Sequence, residues 1–388
     1  MADTVLAGGG TIHSELVVNH EGPSLWLSLP RGANPYADEA IDAPHPNAPP
    51  ILIIPHGLHI PVTNLDWAPS DTELAYRAGT EHLSDAQRTI LDSMVALFNT
   101  LDKVRIIGRG HAQHSVRSDP ELLALIRDAR PKWDEAGRNP RRPVQGVDGA
   151  SQDEPAVAPA GPAASPAHTV VRSRLRSEMG EGDDGPRGYF MPMIDMLNHH
   201  PYGSRYERTD EGAWLIRAHH PTPGDQVFVR YNKADALGIA LGLGYFEPDT
   251  RFVASVACEC DVPPIGRIRI LGVGVNRQRL PAPRVQRTDD GLSIAGVELS
   301  ADSLPTLRTL LSMPLLSMSP TVPEAEVPVL VDAIIDRIVE ACRDFYLRLA
   351  ALPVADRESG SNPELRKLFT RVARRQLVLL DELADAGP

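Results

Sequence analysis

Four polar side chains, Asn198, His199, Tyr231 and Tyr245, are of types that could hold or orient a small molecule. Asn198 and His199 close an apolar run that starts at Phe190 and carries Asp195 three residues before the Asn. Tyr231 ends a strand-like segment that leaves the Gly224-Asp225 turn through Val227, Phe228 and Val229. Tyr245 follows Gly244 at the end of a helix-like stretch, in Leu241-Gly242-Leu243-Gly244-Tyr245-Phe246-Glu247-Pro248. A carboxamide offers donors and an acceptor in fixed geometry, a neutral imidazole one of each, and a phenol can do either. The bland reading of the same residues is a buried strand end with a satisfied Asn and His, and a strand-end Tyr packed at the surface.

Other residue groups would do other chemistry. His199-His200, His219-His220, and His111 with His114 have the ligand type for a metal, but no cysteine or carboxylate context accompanies them, so no metal is expected. Cys258-Glu259-Cys260 supplies two thiols, too few to close a tetrahedral zinc site. Gly8-Gly9-Gly10 lacks the strand-turn-helix frame of a phosphate loop and reads as a turn.

Taken in order, Asp195-x-x-Asn198-His199, the Gly224-to-Tyr231 segment and Leu243-Gly244-Tyr245-Phe246 resemble the SET domain. More closely they resemble the branch that includes the Rubisco large-subunit lysine methyltransferases and the actin-histidine methyltransferases. The specific motifs fall within residues 170–250, although the order of elements is similar along most of the chain. The resemblance implies transfer of a methyl group from S-adenosylmethionine to a side-chain nitrogen of a protein or peptide. Asn198 and His199 would then contact the adenine and methionine parts of the cofactor, and Asp195 would satisfy backbone N–H groups nearby. Tyr231 would line the methyl-transfer channel as a catalytic residue, its hydroxyl orienting the nucleophile or the polarised methyl group, and would also contact the cofactor. Arg174, after Ser173, would meet the cofactor carboxylate or pair with an acid, and the sequence leaves both open.

The departures bear on the acceptor. Lysine-methylating relatives carry Tyr-Gly-Phe where this chain has Leu243-Gly244-Tyr245, so a phenol is replaced by an alkyl group unless Tyr245 takes over its role. An imidazole, largely neutral at pH 7, needs less polar help than a lysine ammonium. The relatives' Tyr-Gly-x-x-Ser-Asn has become Tyr231-Asn232-Lys233-Ala234-Asp235-Ala236. The cofactor loop near the N-terminus would fall at His20-Glu21-Gly22-Pro23-Ser24-Leu25-Trp26, with one glycine and a proline that removes a backbone donor. Histidine, lysine and a small-molecule amine all stay open as acceptors, as does a catalytically degenerate SET module that binds a protein partner.

These residues need a frame. Residues 8–65 read as short strands between turns, with Leu16-Val17-Val18, Leu25 to Leu29 and Ile51 to Ile54 as the apolar runs. Ser84-Asp85 predicts a helix start, with Ile90, Leu91, Met94, Val95, Leu97 and Phe98 on one face. Leu122, Leu123, Leu125 and Ile126 predict a second helix after Asp119-Pro120. Residues 131–168 are rich in Pro, Ala, Gly and charge, and are expected to be a disordered insertion. Structure resumes at Thr169-Val170-Val171 as strand. Residues 327–352 and 364–385 repeat apolar residues every three to four positions and read as helices. The expected fold class is α+β. Residues 1–260 would form a SET domain of short curved sheets with a helical insert at about 76–130, and residues 261–388 an all-α, mainly helical C-terminal domain that helps hold the substrate.

Bulk properties narrow the partners. A net charge of −12 over 388 residues excludes a general nucleic-acid binder, which would carry a basic stripe. Three cysteines cannot form a disulfide framework and fit a reducing cytosol. The N-terminus lacks a basic region followed by an apolar stretch, and no apolar run is long enough to span a bilayer. A cytoplasmic monomer acting on a protein or peptide, away from membranes and nucleic acid, is the expectation.

Overall fold

The computed structural model describes the chain except residues 40–42, 63–64, 111–115, 117–118, 132–164, 174–175, 180–185, 232, 273–282, 318–321, 354–361 and 386–388. The expected insertion therefore lies almost wholly outside the described residues, as do Arg174, His111 and His114. The chain forms two compact units. One contains Met1–His111 and Arg141–Tyr231, the other Ala112–Pro140 and Asn232–Pro388. The division falls at Tyr231 and not near residue 260. The segment holding the second predicted helix packs with the later unit, because Leu122, Leu125 and Ile126 bury their side chains among residues of that core.

In the first unit, several small sheets surround an apolar core. Strands Thr11–Ile12, Pro50–Ile54, Trp214–Arg217 and Glu207–Arg208 form one antiparallel sheet in that order. Strands Val17–Glu21 and Ser24–Ser28 form a hairpin whose two-residue turn is Gly22-Pro23, with Gly22 at φ 54°. Leu25, Leu27 and Leu29 alternate inward from the second strand and are buried, as the two-residue period of a strand requires. The hairpin is stitched onward by Val227 N donating to Leu27 O at 3.1 Å and Leu29 N to Asp225 O at 2.8 Å. The helix Asp85–Thr100 starts where Ser84 predicts. The Ser84 hydroxyl accepts from Gln87 N, and the Gln87 side chain accepts from Ser84 N.

Two expectations are corrected here. Residues 169–171 are helical, within Pro166–Ser173, and not a strand. Pro166 opens the helix and the Ser165 hydroxyl accepts from His168 N at 3.4 Å, local start signals that outweigh the β-branched pair Val170-Val171. The later unit is also not all-α. Cys258–Val262, Gly266–Leu271, Gly291–Ala295 and Arg284–Thr288 form a four-stranded sheet in that order. Its buried face alternates Ile268 with Ile270 and Leu292 with Ile294, a two-residue period interrupted in sequence by Arg269 in one strand and Ser293 in the other. Gly291, at φ 154°, lets its strand pass the Arg267 carbonyl where an added Cβ would lie 2.0 Å away.

Against this sheet pack the helices Leu304–Leu316 and Val327–Ala350, and the helix Pro363–Asp385 packs on the latter, with Leu311, Ile334, Ile338, Phe345 and Phe369 in one core. The molecule is thus mixed α and β with short sheets. Among the described residues, no helix is long and apolar enough to cross a membrane.

Candidate functional site

The first unit brings Asn198, His199 and Tyr231 together. Buried Met193 takes φ 61°, a left-handed conformation unfavourable for a side chain with a Cβ, and turns the chain into the short 3-10 turn Ile194–Met196. That turn holds half-buried Asp195 and delivers the strand Asn198–Ser204 parallel to Phe228–Val229. Asn198 pairs with Phe228 and His199 with Val229, and the two strands run close enough that a Cβ on Gly203 would sit 2.6 Å from the Val229 backbone. Two residues past Val229 the chain reaches Tyr231.

Tyr231 is held at both ends. Its backbone N–H donates to His199 Nδ1 at 3.0 Å, and its hydroxyl donates to the Leu197 carbonyl. The His199 and Tyr231 rings lie 5.2 Å apart, inclined at 31°. The phenol proton is committed to Leu197, so a group arriving at that oxygen must itself be a donor. Asn198 is half-buried, and its side-chain amide makes no hydrogen bond among the described residues. A half-buried carboxamide loses free energy unless a ligand or water meets it. This is the capacity a flat, polar heterocycle would use.

His199 is neutral. Burial pushes its pKa down to about 3, with His200 and Arg230 adding to the effect against a bond with the Val229 backbone. A neutral ring beside a bound cation carries no repulsion, whereas a protonated one would. His220 is also buried and depressed, chiefly by burial, although its Nε2 bonds Leu29 O at 2.9 Å. Both folded values lie below the ordinary value near 6.5, so the stability these residues carry is complete above that pH. As pH falls, the unfolded chain takes up protons that the fold refuses. Stability of the first unit should then fall by up to about 1.4 kcal/mol per pH unit for each histidine, for His199 down to about pH 3. Urea unfolding at neutral pH and at about pH 5 tests this, with His199→Gln flattening the slope. Equal midpoints at the two pH values would contradict it.

The other expected residues among those described belong to the second unit. Leu243 ends the helix Ala236–Leu243, Gly244 closes it in the left-handed conformation, and Tyr245 follows, all three half-buried in the second unit. Sequence reading overlooked the group that sets this helix. Asp235 caps it through Oδ1 on Gly238 N at 2.8 Å. Its Oδ2 takes Arg130 at 2.9 Å, Ala254 N at 3.1 Å and the Tyr346 hydroxyl at 3.3 Å. Asp235 and Arg130 are each 2% exposed. Arg130 sits more than a hundred positions away in sequence, and no local signal links the two.

Cys258 and Cys260 project from their strand against the core, and burial pushes the Cys258 thiol up to about 12, so neither is a ready ligand or nucleophile. Among the described residues, no three His, Cys, Asp or Glu are grouped to hold a metal ion.

No family model and no curated protein matches the sequence. Among solved structures, the SET domain of LSMT bound to lysine and AdoHcy is similar over 99% of this chain and 89% of that one. The identity is 12% and the TM-score 0.38. Rubisco LSMT bound to sinefungin and monomethyllysine is similar over 99% and 90%, at 12% identity and a TM-score of 0.37. At these values neither likeness bears on the chemistry, which stands on the side chains above.

Proposed function

We propose that this protein is an S-adenosylmethionine-dependent N-methyltransferase of the SET type, acting on a side-chain nitrogen of a protein or peptide. The observation that carries the reading is the clasp of Asn198, His199 and Tyr231. A half-buried amide stands ready for a ligand, beside a neutral imidazole that fixes a phenol whose proton already points at the protein.

The donor set fits that cofactor. Asn198 would meet its polar heterocycle, and neutral His199 leaves a sulfonium unopposed by charge. The hairpin around Gly22 would contribute backbone, and Arg174 remains a candidate for the carboxylate. S-adenosylmethionine, when bound, supplies a methyl group that the acceptor nitrogen takes in line, its lone pair forming the N–C bond as the C–S bond breaks and the sulfur keeps the electron pair. The chain's part is positional. Tyr231 presents a lone pair, which attracts a polarised methyl C–H or an acceptor N–H and aligns it. His199 holds that phenol still through the Tyr231 backbone.

Leu243, and with it Tyr245, is assigned to acceptor choice. An alkyl side chain cannot bond an ammonium, so the reading favours an acceptor neutral near pH 7, an imidazole before a lysine. The test is affinity for S-adenosylmethionine in Asn198→Ala. Losing hydrogen bonds worth about 1–3 kcal/mol should weaken binding roughly tenfold or more. An unchanged affinity in the folded variant would mean that Asn198 does not hold the cofactor.

A further inference from the structure

The second unit contains, wholly within itself, a hollow of about 190 Å³ that the proposed chemistry leaves unused. It lies between the carboxyl end of the helix Pro120–Ala129, the helix Val327–Ala350 and the chain that leads into the strand Cys258–Val262. The Ala257 N–H donates to the Ala129 carbonyl at 2.9 Å, which fastens that chain to the helix end. Buried Val256 and Phe345 and half-buried Cys258 give the hollow an apolar wall. Burial keeps the Cys258 thiol protonated, so it adds no charge.

The rim is charged and unpaired. Asp128, Asp344 and Arg348 are exposed and line the hollow, and none of the three makes a hydrogen bond or ion pair among the described residues. Asp344 and Arg348 stand one helical turn apart, in the order at which an acid and a base on a helix readily join. They do not join here. Of the three arginines of this helix, Arg337 pairs with Glu340 at 2.8 Å and Arg343 with Asp381, which leaves Arg348. Across the hollow, the carboxyl end of the Pro120–Ala129 helix adds partial negative charge to that of Asp128.

Two carboxylates, a guanidinium and an apolar wall around one small hollow match a molecule that carries an ammonium, a carboxylate and an alkyl group together. We infer that the hollow binds a free α-amino acid with an aliphatic side chain. Asp128 and Asp344 take its ammonium, Arg348 takes its carboxylate, and Val256, Cys258 and Phe345 meet its side chain. The volume lies below the roughly 300–1,000 Å³ of sites for drug-sized ligands, so one molecule of this class fills it. Charge-assisted bonds at both ends of the ligand give a recognition that an amine or an acid alone does not reach.

The experiment is calorimetric titration of the full chain with leucine, and with three analogues that each lack one feature: N-acetyl-leucine, leucinamide and glycine. Leucine should bind with a dissociation constant below about 1 mM, and each analogue at least about tenfold more weakly. Asp344→Asn and Arg348→Gln, at exposed helix positions where folding is little affected, should each weaken leucine by a similar factor. No heat from leucine at about ten times that concentration would overturn the inference. So would leucinamide binding as tightly as leucine, which would make this a bare cation site, or leucine affinity unchanged in both variants. S-adenosylmethionine carries an amino-acid group of its own and is titrated into the same samples. Its affinity should not move with Arg348→Gln, and a loss parallel to that of leucine would overturn the inference by making the hollow part of the cofactor site.

Discussion

Asp235→Ala is expected to cost the second unit about 3–5 kcal/mol, because it strands the Arg130 guanidinium in the interior. Arg130 keeps the Ser255 and Ala254 carbonyls, at 3.1 and 2.9 Å, and its bond with Tyr346, and these neutral groups do not neutralise its charge. The same change removes the cap of the Ala236–Leu243 helix and leaves Ala254 N without its acceptor. Loss of helical circular dichroism in urea reports it, since the second unit holds the long helices. Asp235→Asn, which keeps the shape and one acceptor oxygen, should fall between. Arg130→Met combined with Asp235→Leu should recover much of the loss, as apolar replacements of buried ion pairs do. A loss below about 1 kcal/mol for Asp235→Ala would show that the cluster does not hold the unit together.

Tyr231→Phe should lower turnover roughly 10- to 100-fold with any acceptor while S-adenosylmethionine affinity stays within a few-fold. The lost hydroxyl is worth about 1.5–3 kcal/mol if it acts on the reacting groups. The aromatic ring, the backbone bond to His199 and the packing all survive the change. The partner substitution Leu243→Tyr should move preference toward lysine. An amine must shed a proton at about 1.36 kcal/mol per pKa unit above ambient pH, and a phenol at that position would help to orient it. Peptide arrays with histidine or lysine at the acceptor position, read by mass spectrometry on wild type and both variants, decide the matter. Efficient lysine methylation by the wild type, indifferent to Tyr231, would refute both the role and the preference.

The clasp was legible in sequence because its parts are short-range. Asp195-x-x-Asn198-His199 lies in one run, and the Gly224-Asp225 turn fixes where the strand to Tyr231 begins. The Ser84 cap and the helix after Asp119 were legible for the same reason. What sequence concealed was carried by distant pairings. The strand Gly266–Leu271 alternates arginines with apolar residues, and its parallel partner Gly291–Ala295 is short and begins at a glycine, so neither stands out when read linearly. Arg130 meets Asp235 across 105 positions, and Arg366 meets Asp119 across 247. The division at Tyr231 follows from those contacts, since the Asp119 helix is drawn to the later core by Arg366 and by its own leucines. That His199 accepts from the Tyr231 N–H through Nδ1 also required the structure.

Calorimetric titration of the full chain with S-adenosylmethionine and with its demethylated product tests the central claim most directly. Binding of both at micromolar concentration, weakened together by Asn198→Ala, is the expected result. No heat from either ligand, with the protein shown to be folded, would contradict the methyltransferase reading and favour a module that binds a partner without catalysis.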